Sequence, residues 1–506
     1  MKSRKKILYR IIGIIVLCGI FLVACKDSKK GTEIVWYIED PYFYTGEVNA
    51  EPYQEIRSER FELFNRRLKE MGIPAKVVFK YLPSRSDVKK SREEKVDLLE
   101  DYKEDLDFAK NRMEQLLKKD READIVSYQP LDYEAFLPLN EYLAKEENVK
   151  VKEALPKAIW NVNRVNGELY QIPKGNVSIN ETVYIFYKPF LEQYGIELNP
   201  EEIRQMNPKE VIEFLLPYFE ANRLLEGRYY LTSASDLQYE NFFLGRQLPV
   251  IPMYSDCNLS LQLTERKIES LLDTKEMQEC LRVKQWIYDN DIDAHIEMKK
   301  GNYQARPVFQ IMKIPTIEEL TENFESEWVE VPLGNRMICH NIGNGVLKES
   351  KEKELAVRVL AASMYDKELS NLMIYGIKGK NYELKDGYVE SEKEMFSSMG
   401  SFGQIGNNLI TYPNQMEVKE KREITERILQ EVQYIPYSDF VPKWKEKSWQ
   451  SMMNIAKIYW EINSIVGMTE VADLDEYLEK QNQKLRDAGV QKVIEDLQQQ
   501  VNDWKE

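Results

Sequence analysis

The strongest constraint on this chain sits at its start. Lys2, Arg4, Lys5, Lys6 and Arg10 make a basic segment, Ile11 to Ala24 an uncharged apolar run, and Leu22-Val23-Ala24-Cys25 closes it. That order is the layout of a secretory leader, so residues 1–24 are excluded from the folded body. An uncleaved anchor is the alternative, because Ile7 to Ala24 is 18 residues, all apolar or neutral except Arg10, near the lower limit for a membrane span. The charge inside the run favours the shorter, cleaved form. Either reading puts residues 26–506 outside the cytoplasmic membrane.

The closing tetrapeptide resembles the lipobox of bacterial lipoproteins. The resemblance implies that Cys25 is acylated and becomes the first mature residue. Acyl chains contribute about 0.8 kcal/mol per buried methylene, and stable anchoring takes more than one chain. A diacylglyceryl group on Cys25 meets that requirement, and no second apolar run of transmembrane length follows. Residues 25–32 are then the lipidated cysteine and a short polar linker, holding the body on the extracytoplasmic face of the membrane.

Removing five basic residues and no acidic one takes the formal net charge from −15 to −20. A body this acidic is not a general polyanion binder, and no nucleic-acid partner is expected. The roughly 480 mature residues exceed what one hydrophobic core usually organises, so at least two lobes are expected. Of the five cysteines, Cys18 leaves with the leader and Cys25 is acylated. Cys257, Cys280 and Cys339 remain, an odd number that allows at most one bridge; Cys257 to Cys280 is possible, and buried free thiols are favoured.

Glu33 to Ile38 reads as a buried strand and Ala75 to Tyr81 as a second, with a helix between them from Ile56 to Met71 carrying Phe61, Phe64 and Leu68 on one face. This is a βαβ unit, which implies a parallel sheet. Lys89 to Lys119 interleaves both charge signs with leucines at helical intervals, the pattern of a solvated helix with one buried stripe. Ala123 to Tyr128 is a third strand, whose C-terminal end should open onto the crevice where parallel sheets bind ligands.

From there the order of elements resembles the family 1 extracellular solute-binding proteins of ABC importers. The landmarks are Phe136 to Leu143, Ala154-Leu-Pro, Gly167 to Pro173, and Tyr184 to Phe190 with Tyr194-Gly-Ile196; Tyr187 replaces the family's usual asparagine. Further landmarks are Ser350 to Leu369, the glycine-punctuated Asn371 to Gly387, and Gln483 to Val490 continuing through Trp504. The resemblance implies an α/β, two-lobed periplasmic-binding-protein-like fold with a ligand cleft between the lobes. It places residues 33–176 and 337–375 in the first lobe and 177–336 and 376–506 in the second, with crossings near Lys174–Thr182 and Val329–Met337.

Catalytic groups are hard to find. His295 and His340 are the only histidines, and neither lies in an H-E-x-x-H pattern; no G-x-S-x-G elbow is present. Gly376 to Lys380 is too short for a P-loop, Gly343-Asn-Gly345 lacks the third glycine of a dinucleotide fingerprint, and Ser86 to Lys89 is an S-x-x-K without its companion motifs. Asp289-Asn-Asp291-Ile-Asp293 opens like a calcium loop, yet Ala294 replaces the glycine and Lys300 the twelfth-position glutamate, so a polar loop after a helix is the better reading. No catalytic residue, cofactor or metal is expected. A glycosidase carboxylate pair is not excluded by sequence among 85 Asp and Glu residues.

A sugar site needs flat aromatic rings with amides, carboxylates or arginine around them. The candidates are Trp36, Tyr37, Asp40, Tyr42 and Tyr44 at the end of the first strand, with Trp36 fitting the core equally well. Tyr128, Tyr184 and Tyr187 lie near another strand end and the first crossing, where core or hinge packing is the competing role. Arg336 and Asn341 flank the return crossing. The expected function is capture of an oligosaccharide by lobe closure and delivery to an ABC permease. A peptide-binding protein, a sensor lipoprotein and a secreted polysaccharide-active enzyme are the alternatives.

Overall fold

A computed structural model of the chain describes residues 31–38, 51–82, 116, 122–127, 133–175, 179–223, 229–232, 261–264, 266–292, 306–315, 327–334, 336–338, 343–390, 405–415, 417–434, 440 and 442–504. In chain order the main elements are β1 (Thr32–Ile38), α1 (Glu51–Glu70), β2 (Ala75–Tyr81), β3 (Ala123–Ser127), β4 (Gln171–Pro173), β5 (Ile179–Tyr187) and α2 (Pro208–Arg223). They continue with α3 (Lys275–Asp289), β6 (Phe309–Pro315), β7 (Trp328–Pro332), β8 (Met337–Ile338), β9 (Gly343–Val346), α4 (Lys353–Tyr365) and α5 (Lys367–Tyr375). The last part holds α6 (Lys421–Ile428), β10 (Gln433–Tyr434), α7 (Glu446–Ile465), α8 (Leu474–Asp487) and α9 (Val490–Asp503). Among the described residues no helix is long and apolar enough to cross a membrane.

Alternation along β1 divides its side chains between two cores: Ile34, Trp36 and Ile38 face one, Val35 and Tyr37 the other. A strand buried on both faces belongs inside a parallel sheet. The first sheet has the order β2-β1-β3-β9-β4, with β1 parallel to β2 and β3, and β9 antiparallel to β3 and β4. Register shifts between Val35 and Trp36, and there the Asp124 carboxylate accepts the Val35 amide at 2.9 Å. Helix α1 lays Phe64 and Leu68 against this sheet, and Phe79 of β2 stacks on both Trp36 and Phe61 at 5.4 and 4.3 Å. The βαβ unit expected from sequence is therefore present.

The second sheet has the order β6-β5-β8-β10, with β7 also pairing β5. Strand β5 is shared: Ile179 at its start packs into the first core, Tyr184 and Phe186 into the second. Among the described residues the chain changes lobe at three places, between β4 and β5, between β8 and β9, and between β10 and Phe440. The stretch 376–506, expected in the second lobe, is divided between the two. Ile405, Leu409, Ile428 and Leu429 pack in the first core, and Phe440 begins the part that packs with α7, α8 and α9.

That C-terminal part is fastened to the second lobe by specific contacts. Tyr459 Oη lies 2.9 Å from Ser270 Oγ and accepts the Leu272 amide at 2.7 Å. Arg266 donates to the carbonyls of Val501 and Trp504. Helix α3 belongs to both groups, with Met277 and Leu281 in the C-terminal core and Cys280, Val283 and Ile287 in the core under β5. Cys280 is buried; Cys257 and Cys339 lie outside the described residues.

Two features shape the hinge. Glu181 on β5 is nearly buried, with 8% of its side chain exposed, and accepts hydrogen bonds from the Gly334 amide at 3.1 Å and Arg336 Nε at 3.2 Å. Arg336 also reaches Glu431 at 3.4 Å, and its carbonyl accepts the Gln433 amide at 2.7 Å. One arginine thus ties β5, the approach to β8 and the third crossing together. Gly175 opens the first crossing and lies directly on Asn407, where a Cβ would stand 2.2 Å from Asn407 Oδ1 and 2.4 Å from its Cα.

Candidate functional site

A cavity of about 300 Å³ lies where the lobes meet, at the small end of the usual range of about 300–1,000 Å³ for ligand pockets. The first lobe contributes Tyr133, Glu134, Asn166, Tyr170 and Lys348, and the C-terminal part contributes Lys443. Each is placed by local structure. Asn166 and Gly167 take φ of 51° and 78° in a tight hairpin turn closed by hydrogen bonds between Val165 and Glu168. An Asn-Gly pair suits such a turn because both residues tolerate the left-handed region. The turn delivers Tyr170 to the foot of β4, 5.5 Å from the nearly buried ring of Tyr133.

On the opposite wall, Lys443 is held by a reciprocal pair of backbone hydrogen bonds with the Gln500 side chain on α9. Its ammonium crosses to Glu134 at 2.9 Å. The hydrogen bond and charge of Lys443, with a further contribution from Lys348, hold the Glu134 carboxyl below its ordinary value. Both partners are largely exposed, so the pair contributes at most about 0–1 kcal/mol to stability. Its significance is positional, since it spans the two lobes.

The residues expected to bind ligand are distributed differently. Trp36 is fully buried: it stacks on Phe79, and its indole N–H donates to Ser127 Oγ at 2.7 Å, which in turn donates to Asn344 Oδ1. Satisfying the N–H is what allows an indole to sit in a core. Tyr37 is buried on the other face of β1, with Lys80 Nζ 5.8 Å from its ring centre. Tyr184 is also a core residue; its hydroxyl donates to the Met206 carbonyl at 2.9 Å, and burial raises its pKa.

Tyr187 is half-buried at the end of β5 farthest from the hinge, packed on Trp328 and Tyr229. Arg336 is committed to Glu181 and Glu431 as a hinge tie. Cys25, Asp40, Tyr42, Tyr44, Tyr128 and Asn341 lie outside the described residues. Tyr133, Tyr170, Lys348 and Lys443 were not singled out from sequence, although the Asn166-Gly167 turn signal stood four residues before Tyr170.

Among the described residues no group of three or more His, Cys, Asp or Glu side chains could hold a metal ion. Asp289 ends α3 and accepts from Gln285 at 2.8 Å, and Asp291 takes a φ of 56° in the turn that follows. Asp293, Ala294 and Lys300, the rest of that stretch, lie outside the described residues.

Two α/β lobes sharing a hinge strand, with a cavity where they meet, have the fold of the extracellular solute-binding proteins, as the sequence landmarks implied. The chain aligns with a carbohydrate ABC transporter substrate-binding protein of Streptococcus pneumoniae at 21% identity over 399 residues, 73% of this chain and 76% of the relative. Its fold matches the crystal structure of the N-glycan transport solute-binding protein NgtS of the same species, with a TM-score of 0.63 at 16% identity, covering 94% of this chain and 99% of the other. An extracellular solute-binding protein of Bifidobacterium longum subsp. infantis matches with a TM-score of 0.54 at 12% identity, covering 94% and 98%. Residues 448–506, which contain most of α7 and all of α8 and α9, match a domain of unknown function, DUF3502.

Proposed function

We propose that this chain is a lipid-anchored, extracytoplasmic solute-binding protein that captures an oligosaccharide by lobe closure and passes it to an ABC permease. The observation that carries the reading is the cavity between lobes that share β5, with aromatic rings and polar groups on one wall and Lys443 on the other. A ligand touching both walls binds the closed form better and shifts the open–closed equilibrium toward it. The relatives support a sugar as that ligand: NgtS is described as an N-glycan transport protein and has been crystallised with Man1GlcNAc and Man5GlcNAc.

Acylation of Cys25 supplies the tether, keeping the body at high local concentration beside its permease. Asp40, Tyr42, Tyr44, Tyr128 and Asn341 remain proposed as ligand-binding residues. The protein holds its sugar without cleaving it.

A thermal-shift screen of the detergent-solubilised chain against oligosaccharides, peptides and calcium tests this. A ligand at about 100 times its Kd adds about 2.7 kcal/mol of stability. A shift with one oligosaccharide class, the sugar being recovered intact, is the expected result. Cleaved sugar would establish the enzyme instead, and a shift with peptides alone would establish a peptide carrier. Replacing Cys25 with alanine should move the protein from the membrane fraction to the soluble one; unchanged membrane association would exclude the lipid tether.

A further inference from the structure

The charges around the cavity point to a class of sugar. Among the described lining residues, Lys348 and Lys443 face one carboxylate, Glu134, and Lys443 engages it. Lys348 touches that pair only through its field; among the described residues its ammonium makes no hydrogen bond or ion pair. Among the described lining residues there is thus one more cation than anion, on a chain whose formal net charge is −15. The screening length at physiological salt is about 8 Å, so the distant acidic surface does not cancel a lysine at the cavity wall.

In the same cavity as Lys348, the half-buried ring of Tyr170 packs against Tyr133 and is of the type that takes the C–H face of a sugar. A single sugar residue that carries a carboxylate on its ring can use both features at once, the ring against the tyrosine and the carboxylate on the ammonium. We infer that this cavity is a subsite for an acidic sugar residue, a hexuronate or a sialate, with Lys348 as the carboxylate partner and Tyr170 as the stacking surface. The inference rests on the oligosaccharide reading above and names its ligand class.

The experiment is calorimetric titration of the full chain in detergent with matched pairs, 3′-sialyllactose against lactose and cellobiouronic acid against cellobiose. The sialylated and uronic pairs distinguish the two carboxylate sources. The acidic member of one pair should bind at least about fivefold more tightly than its neutral partner, and Lys348→Gln should bring that ratio close to one. Raising salt from 0.05 to 0.5 M should narrow the ratio in the unaltered protein, because the gain is electrostatic. Lys348 is exposed, so circular dichroism should show both proteins equally folded.

Equal or tighter binding of the neutral members would overturn the inference. So would a preference for the acidic member that Lys348→Gln leaves intact. Binding of some other, neutral oligosaccharide with no response to either acidic probe would overturn it while leaving the capture function standing. Failure of every oligosaccharide in a broad panel would remove both.

Discussion

Replacing Gly175 with alanine tests the hinge directly. The new Cβ would lie 2.4 Å from the Cα of Asn407 and 2.7 Å from its Cγ, against an ordinary contact of at least 3.4 Å. Asn407 cannot retreat easily. Its amide nitrogen donates to Ser370 Oγ, its Nδ2 donates to the carbonyls of Ala154 and Met364, and its Oδ1 accepts from Leu409, all at 3.0–3.1 Å. The crossing segment must therefore give way by about 1 Å, and overpacking of this kind costs about 1–3 kcal/mol.

Over a radius of about 16 Å for a lobe of roughly 200 residues, such a shift tilts the lobes by about 3–4°. Hydrogen bonds from ligand to the far wall then stretch by a similar distance, and losing one or two at about 0.5–1.5 kcal/mol each weakens capture about tenfold. Calorimetry gives the affinity, small-angle scattering the closure, and a melt the stability, with Tm falling by about 2–4 °C per kcal/mol for domains of this size. A Gly175→Ala protein with unchanged Tm, closure and affinity would refute the pivot.

Other consequences follow from the same geometry. Arg336→Met leaves Glu181 buried with only the Gly334 amide and should cost about 2 kcal/mol in urea unfolding, with much of the loss recovered when Glu181 is also made Met; an unchanged midpoint in the single variant would mean that the tie is idle. Because the Glu134 carboxyl is held below its ordinary 4.5, the Glu134–Lys443 contribution to closure should be constant above that value and disappear only as pH falls through the lower folded one. The closure difference between the unaltered protein and Glu134→Gln, followed by scattering from pH 7 downward, checks this; a difference already lost between pH 7 and 6 would assign the effect to another group. Burial pushes the Cys280 thiol up to about 12, so it should ignore an aromatic disulfide reagent at pH 8 until the protein is unfolded, and rapid labelling of Cys280 in the native protein would contradict its place in the core.

The sequence disclosed the first lobe's framework better than its site. Ala75–Tyr81 was read with the bounds it has, and β1 and β3 within a residue of theirs, because each is a short apolar run bounded by polar or turn residues. The hinge was less legible. Met337–Ile338 and Gln433–Tyr434 are two-residue strands with no periodicity to detect, so nothing in the local pattern signals that Ile405, Leu409, Ile428 and Leu429 pack in the same core as β1.

Composition pointed to aromatic residues at the end of β1, but composition does not say which face of a strand is open. Trp36 and Tyr37 alternate into two different cores, and neither presents its ring to the cavity. The cavity itself joins Tyr133 to Lys443, 310 positions apart, through the second lobe's C-terminal helices. Such a meeting is a product of topology, and local pattern carries no record of it.

The most direct test of capture by closure is small-angle scattering of the detergent-solubilised chain, titrated with the oligosaccharide that gives the largest thermal shift and followed by chromatography of the recovered sugar. The account predicts a saturable contraction that tracks binding, with the sugar returned intact. Binding with no change in the scattering curve would contradict closure, and a sugar recovered in pieces would contradict capture.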